Sequence, residues 1–255
     1  MAEAQFRFYA ELNDFMSGES GEARREFVPG AKVKDLIEGF GVPHTEVDLI
    51  VANGESVGFD YAVRDGDRVS VFPVFESIDI ASLTRVRAHP LRVPRFVLDG
   101  HLGRLARYRR MLGFDAVWEG NVEDAELARM ALNEKRIVLT RDVGLLKRTA
   151  VERGYWIREI NPRLQLKETL LRFDLAELIR PFTRCMRCNV PLRKADQDEI
   201  ASAPADVADA FTDFQVCPGC RRLFWEGSHF RRMRSLIAEL RGKQHSSENS
   251  CKHGL

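Results

Sequence analysis

The sequence predicts an α/β protein built in two parts, with a small metal-binding module inside the second part. Three observations carry that expectation. The first 78 residues read as strand, strand, helix, strand, strand. From Pro94 onward, strand-like and helix-like segments alternate. Four of the five cysteines fall in two matched CxxC pairs.

The N-terminal elements follow from side-chain periodicity. QFRFYA alternates apolar and polar residues with the period of two that marks a strand, and EARREFVPG can pair with it as a hairpin. Val33, Leu36, Ile37 and Phe40 recur at helical spacing, and Gly41 is placed to end that helix. EVDLIVANGESV is a strand that runs into Asn53-Gly54, a strong signal for a tight hairpin turn. DGDRVSVFPVF supplies a turn and a last strand. This order is that of a β-grasp over residues 1–78. The short basic segment 79–93 reads as a linker.

After the linker, RFVLD is a strand, and LGRLARYRRML is a helix with Leu102, Leu105, Ala106 and Leu112 on one face. FDAVWEG is a strand. NVEDAELARMALNEK is a helix with Asn121 as the expected N-cap. RIVLTRD, VGLLKRTAVERG and YWIREI continue as strand, helix and strand, and helical patterns fill 163–180. Such alternation predicts a parallel sheet covered by helices over residues 94–180. Residues 181–241 hold the cysteines and a closing amphipathic helix, and 242–255 form a polar tail.

Composition excludes some classes. Hydrophobic residues make up 44% and charged residues 30%, ordinary for a globular protein. No run of about 18 apolar residues is present, so no membrane span is expected, and the N-terminus lacks the pattern of a secretory signal. Net charge is +1, yet residues 84–110 hold eight arginines against one acidic residue, Asp99. Local basic clusters of this kind can meet phosphate even on a neutral protein.

Cys185-x2-Cys188 and Cys217-x2-Cys220 are separated by 28 residues. A CxxC turn brings two thiolates to one ion, and two such turns complete a closed four-sulfur shell, the pattern of a structural zinc. Thiols used this way predict a reducing compartment, hence the cytoplasm. Cys251, in the tail, is expected to be a surface thiol. His229, after the second pair, is expected to pack structurally.

In a parallel α/β sheet, functional groups gather at the carboxyl ends of strands. Asp99 ends RFVLD, Asp142 ends RIVLTRD, and Asp124 opens the helix after FDAVWEG. Three carboxylates at one edge repel one another unless a cation such as Mg²⁺ or Mn²⁺ joins them, and a cation held so can activate water against a phosphate. Each residue also has a bland reading: Asp99 as a turn former, Asp124 as a dipole-favoured first-turn charge, and Asp142 as an N-cap. Arg104, Arg107, Arg110 and Arg141 are placed to bind an RNA backbone, because the planar guanidinium fork matches phosphate oxygens; the alternative is a solvated helix face.

These motifs carry a resemblance. FVLDGHLGRLARYRRMLGFD, EDAEL, RIVLTRD, the two CxxC pairs and WEGSHFRRM, in that order, resemble the Mut-seven-C RNase family over roughly residues 94–240. The resemblance implies a PIN-like nuclease fold with a zinc ribbon. It places acidic catalytic positions at Asp99, Asp124 and Asp142 with catalytic Mg or Mn, and structural zinc on Cys185, Cys188, Cys217 and Cys220. Many PIN nucleases have a fourth acidic residue after the next strand; here YWIREINP offers Glu159 or Asn161.

Residues 4–75 resemble the ubiquitin-like domain that precedes this RNase, itself similar to sulfur-carrier proteins, through AELNDF, GVPHTEVDLIVANG and DGDRVSVFPVFE. Such carriers end in a free Gly-Gly. Here the last strand runs on through VFESIDI, so a surface for a protein partner or for positioning RNA is expected instead of sulfur transfer. The expected activity is metal-dependent hydrolysis of RNA phosphodiester bonds. The alternative is a non-catalytic RNA-binding or ribosome-associated module with a degenerate site.

Overall fold

The computed structural model describes residues 1–16, 21–73, 84–86, 94–227, 230, 233–235 and 237–238. Most of the expected linker, Arg87, Arg92, His229, much of the closing helix and the tail with Cys251 lie outside the described residues.

The N-terminal part is a β-grasp. Strands β1 (Ala2–Phe8) and β2 (Glu22–Phe27) form a hairpin, α1 (Val33–Gly39) follows, and β3 (Val47–Ala52), β4 (Glu55–Val57) and β5 (Arg68–Pro73) complete a sheet of order β2-β1-β5-β3-β4. The central pair β1 and β5 is parallel and the other pairs are antiparallel. The alternation in β1 turns Ala2, Ala4, Phe6 and Phe8 inward against Ile37, Ile50, Val69 and Val71. Phe40, just past α1, tilts against Phe6 and Phe8 at 5.1 and 5.4 Å between ring centroids. Asn53 and Gly54 both take positive φ, +51° and +89°, as the expected tight hairpin requires.

The following elements alternate. They are β6 (Phe96–Leu98), α2 (Gly103–Met111), β7 (Ala116–Trp118), α3 (Asp124–Glu134), β8 (Ile137–Thr140), α4 (Val143–Leu146), β9 (Gly154–Trp156) and α5 (Pro162–Arg172). Strands β6, β8 and β9 pair in parallel, in that order. Every residue of β6 and β8 is buried, as strands covered on both faces must be. Two expectations change. The N-cap of α3 is Glu123, without a side-chain cap, and Asn121 sits two residues upstream in a turn. The helix expected over VGLLKRTAVERG is one turn long, because Thr149 and Val151 favour helix weakly and Val151 is drawn into the core.

The chain divides into two compact units, one of Met1–Asp99 with Asn121–Arg158 and one of Gly100–Gly120 with Glu159–Leu255. In the first, the β-grasp meets the end strand β9. The backbone N–H of Trp156 donates to Glu46 Oε1 at 2.5 Å, and Glu46 is fully buried. His44 is also buried; its Nδ1 lies 2.6 Å from Glu38 Oε1 and its Nε2 2.9 Å from the carbonyl of Val151. Burial, reinforced by Lys34, draws the His44 pKa below the ordinary histidine value against the opposing pull of Glu38. Lys147 Nζ reaches the Glu38 carbonyl, and Arg158 donates to Asp14 Oδ2 and to the Glu11 carbonyl.

In the second unit α2 lies against β7 and α5. A three-stranded antiparallel sheet of β10 (Arg193–Lys194), β11 (Gln215–Val216) and β12 (Leu223–Phe224) carries the cysteine module. Between β10 and β11 stand two short helices, α6 (Gln197–Ala201) and α7 (Ala205–Ala210), the first held by a reciprocal Asp196–Glu199 capping box. Among the described residues, Ala195, Phe214 and Val216 form the buried cluster here, with partly buried Ile200, Phe211, Leu223 and Trp225 packed against it. No helix among the described residues is long and apolar enough to cross a membrane.

Candidate active site

Because β6, β8 and β9 run parallel, their carboxyl ends share one edge. Asp99 directly follows β6, and its backbone N–H extends the ladder to Leu139 of β8. Thr140 ends β8 and is fully buried. Its hydroxyl donates to Asp99 Oδ2 at 2.8 Å and accepts from the backbone N–H of Asp142 at 2.9 Å. One side chain thus fixes both aspartates. Asp142 Oδ1 in turn accepts from the N–H of Gly144 and caps α4. Asp124 stands in the first turn of α3, with Oδ2 3.7 Å from Arg148 in a half-exposed ion pair of little energetic consequence. One carboxylate oxygen of each of Asp99, Asp124 and Asp142 has no partner among the described residues. The three are not drawn into a tight cage: among the described residues, the four cysteines are the one set of three or more His, Cys, Asp or Glu whose ligand atoms all lie within 4.8 Å of one another.

The arginines separate. Arg104, Arg107 and Arg141 are exposed. Arg110, expected on the phosphate-binding face, is buried instead. Its Nε donates to the Ala116 carbonyl and its NH1 to the carbonyls of Met186 and Arg187, so its donors hold the first cysteine turn to α2 and β7. Arg109 is fully buried and donates to Thr169 Oγ1 of α5 at 2.6 Å; burial draws its pKa down to about 9. Of the fourth-acid candidates, Asn161 caps α5 and Glu159 is exposed.

The two cysteine turns have the same geometry. Cys188 N–H points to Cys185 Sγ and Cys220 N–H to Cys217 Sγ, each at 3.4 Å. Asn189 and Arg221, one residue past each pair, both take positive φ and donate back to the carbonyls of Cys185 and Cys217. Cys185 and Cys220 Sγ lie 3.7 Å apart. A tetrahedral ion with zinc–sulfur bonds of 2.3 Å sets its ligands about 3.8 Å apart, so donor set and spacing both fit structural zinc. Burial, then the neighbouring thiols, push the Cys188 thiol up to about 12 in the metal-free arrangement.

Residues 94–237 match the family model described as Mut7-C RNAse domain, and residues 1–79 match the one described as Mut7-C ubiquitin. The chain belongs to the Mut7-C RNAse family. No curated protein matches it. Among solved structures, a Pyrococcus furiosus protein given as molybdopterin converting factor, subunit 1 is 29% identical, with a TM-score of 0.24, over 29% of this chain and 98% of its own. Small archaeal modifier protein 1 of Haloferax volcanii is similar in two structures. One is 18% identical with a TM-score of 0.24, over 29% of this chain and 98% of its own; the other is 16% identical with a TM-score of 0.25, over 30% and 100%.

In this Mut7-C RNAse domain, three features escape the sequence reading. Thr140 looks like an ordinary strand threonine; the T-x-D spacing is the signal that its hydroxyl lies between two strand ends. Arg109 falls at 100° per residue in the middle of the face formed by Leu102, Leu105, Ala106 and Leu112, so its burial was legible. Gly103 gives no sign of its contact with Trp118, yet a Cβ there would approach the indole ring to 2.7 Å.

Proposed function

We propose that this chain hydrolyses phosphodiester bonds in RNA with divalent cations held by Asp99, Asp124 and Asp142, and that Cys185, Cys188, Cys217 and Cys220 hold a structural zinc. The observation that carries the first part is the Asp99–Thr140–Asp142 arrangement at the carboxyl edge of a parallel sheet in a Mut7-C RNAse domain. Its carboxylates stand wider than a direct cage. A cation there need not be ligated by all three directly, because Mg²⁺ keeps several waters and binds through one or two carboxylates together with substrate phosphates. Such a cation, once bound, supplies an activated water and offsets charge on the phosphate. The chain's own contribution is orientation. Thr140 donates to one Asp99 oxygen and leaves the other without a partner among the described residues. Asp142 holds the start of α4. Exposed Arg104, Arg107 and Arg141 attract the polyanion, an interaction that weakens as salt rises. Zinc-binding thiols require a reducing compartment, which supports a cytoplasmic location.

The test is cleavage of end-labelled single-stranded RNA by zinc-loaded protein, with Mg²⁺ or Mn²⁺ added or withheld. Fragments are expected only when the cation is present. Binding without cleavage under every cation would overturn this reading in favour of a non-catalytic RNA-binding module. Thr140→Val removes the donor to Asp99 and keeps the shape of the side chain. It is expected to lower cleavage about 10- to 100-fold, the usual cost of losing a group that orients a metal ligand. An unchanged rate would remove Thr140 from the site.

A further inference from the structure

The row of the sheet that holds Asp99 and Thr140 continues to an aromatic ring. Leu98 pairs with Leu139, which sets Asp99 beside Thr140, and Thr140 pairs with Trp156 of β9. Laterally paired residues of a parallel sheet project to the same face, and neighbouring strands lie about 4.8 Å apart. The Trp156 backbone is therefore roughly 10 Å from that of Asp99, two strand spacings along one row. The indole is half-buried. Its Nε1–H donates to the carbonyl of Arg141 at 3.3 Å, in an exposed position, and Arg141 immediately precedes Asp142.

The ring is also backed. Phe15, at the end of a short 3-10 helix in the β-grasp (Ala10–Phe15), lies 5.0 Å from Trp156 between centroids. Arg158 lies over Phe15, Tyr155 and Trp156 at 5.6, 5.4 and 5.1 Å, and is itself fixed by Asp14. An indole locked by a hydrogen bond on its edge, supported by a phenyl ring and a guanidinium, partly open to solvent and next to an exposed arginine is a prepared stacking surface. Its position is one nucleotide's reach from the carboxylate edge.

We infer that Trp156 stacks a base of single-stranded RNA beside the proposed cleavage site, and that the β-grasp completes this subsite by holding Phe15 and Asp14 behind it. The choice of RNA as the occupant rests on the nuclease reading given above. Base–aromatic stacking is tolerant of sequence, since every base offers a π-face, so the subsite would position a strand without selecting one base. Arg141, on the same edge, supplies a cation for the adjoining phosphate.

The experiment compares Trp156→Phe, Trp156→Leu and wild-type in the full, zinc-loaded chain. Binding to a short oligouridylate and to an abasic oligomer of the same length and charge is followed by anisotropy without added Mg²⁺ or Mn²⁺. Wild-type is expected to bind the oligouridylate about 10- to 100-fold more tightly than the abasic strand. Trp156→Phe keeps most of that preference. Trp156→Leu, which retains apolar bulk against Phe15 and has no π-face, loses it and binds both strands alike. The salt dependence stays unchanged, since no phosphate contact is removed. In cleavage the Leu variant raises KM and leaves kcat nearly untouched. Should Trp156→Leu fail to fold, quenching of tryptophan fluorescence by oligouridylate decides. It is present in wild-type and absent with the abasic strand, and Trp156→Phe loses it. An abasic strand that binds wild-type as well as oligouridylate, or a Leu variant that keeps the base preference, overturns the inference. The two readings fail separately. Cleavage with no role for Trp156 leaves the nuclease standing, and base-dependent binding without cleavage leaves the stacking subsite standing.

Discussion

Asp99→Asn should reduce RNA cleavage by at least about 100-fold while leaving RNA affinity within a few-fold of wild-type. The argument starts from what the substitution preserves. An asparagine oxygen can still accept from the Thr140 hydroxyl, and the backbone N–H of residue 99 still donates to Leu139, so the end of β6 keeps its shape. What is lost is the negative charge and the second carboxylate oxygen, which has no partner among the described residues. Losing a group that merely orients a metal ligand costs 10- to 100-fold, and losing the ligand itself should cost no less. On the reading proposed above, affinity comes mainly from phosphate contacts with exposed arginines, which the change does not touch. Single-turnover cleavage at saturating protein, with anisotropy on the same RNA, separates the two quantities. Asp99→Asn protein that cleaves at the wild-type rate would remove the β6–β8 edge from the chemistry.

Cys217→Ser should have the largest structural effect in the chain. Structural zinc contributes about 10–16 kcal/mol of apparent binding free energy in small modules, and that energy is folding energy. Among the described residues the module's buried cluster is Ala195, Phe214 and Val216, too few to order it unaided. The first cysteine turn also satisfies groups outside itself. Its carbonyls at Met186 and Arg187 accept from buried Arg110, and Asn189 bonds both Asp115 and the N–H of Ala116. Native mass spectrometry should find one zinc per chain in wild-type and none in the variant. Amide exchange over residues 183–225 should become fast, while the β-grasp strands keep their protection. Because thiols must lose their protons to bind the ion, zinc uptake should release protons and weaken as pH falls. A chelator-treated chain that retains slow exchange over 183–225 would show that the sulfur-rich module folds without its ion.

How far the sequence alone reveals this architecture depends on whether a feature is local. The β-grasp strands and the Asn53-Gly54 turn rest on short-range patterns, period-two alternation and residues that tolerate positive φ, and these read directly. The two cysteine turns do as well, because the spacing within each pair encodes the geometry. The burial of Arg110 depends on carbonyls 76 and 77 residues away, which no helical projection of α2 contains. Asn121 has the chemistry of an N-cap, yet α3 begins at Asp124, showing that a capping residue type does not fix where a helix starts. The role of Thr140 depends on strand register, which places residue 140 beside residue 99 only after the crossover through α2, β7 and α3. Asp99 and Asp142 could be put at one edge from topology. Their mutual spacing could not, since it is set by that register and by Thr140.

The buried carboxylate of Glu46 has one more consequence. It occupies the outward N–H of Trp156, at a margin where a β-layer would otherwise offer unsatisfied main-chain groups to any passing extended peptide. The N-terminal domain thereby satisfies one main-chain donor on the outer side of β9. A fragment beginning near Pro94 would leave that N–H without its acceptor, and is expected to self-associate through strand addition more readily than the whole chain.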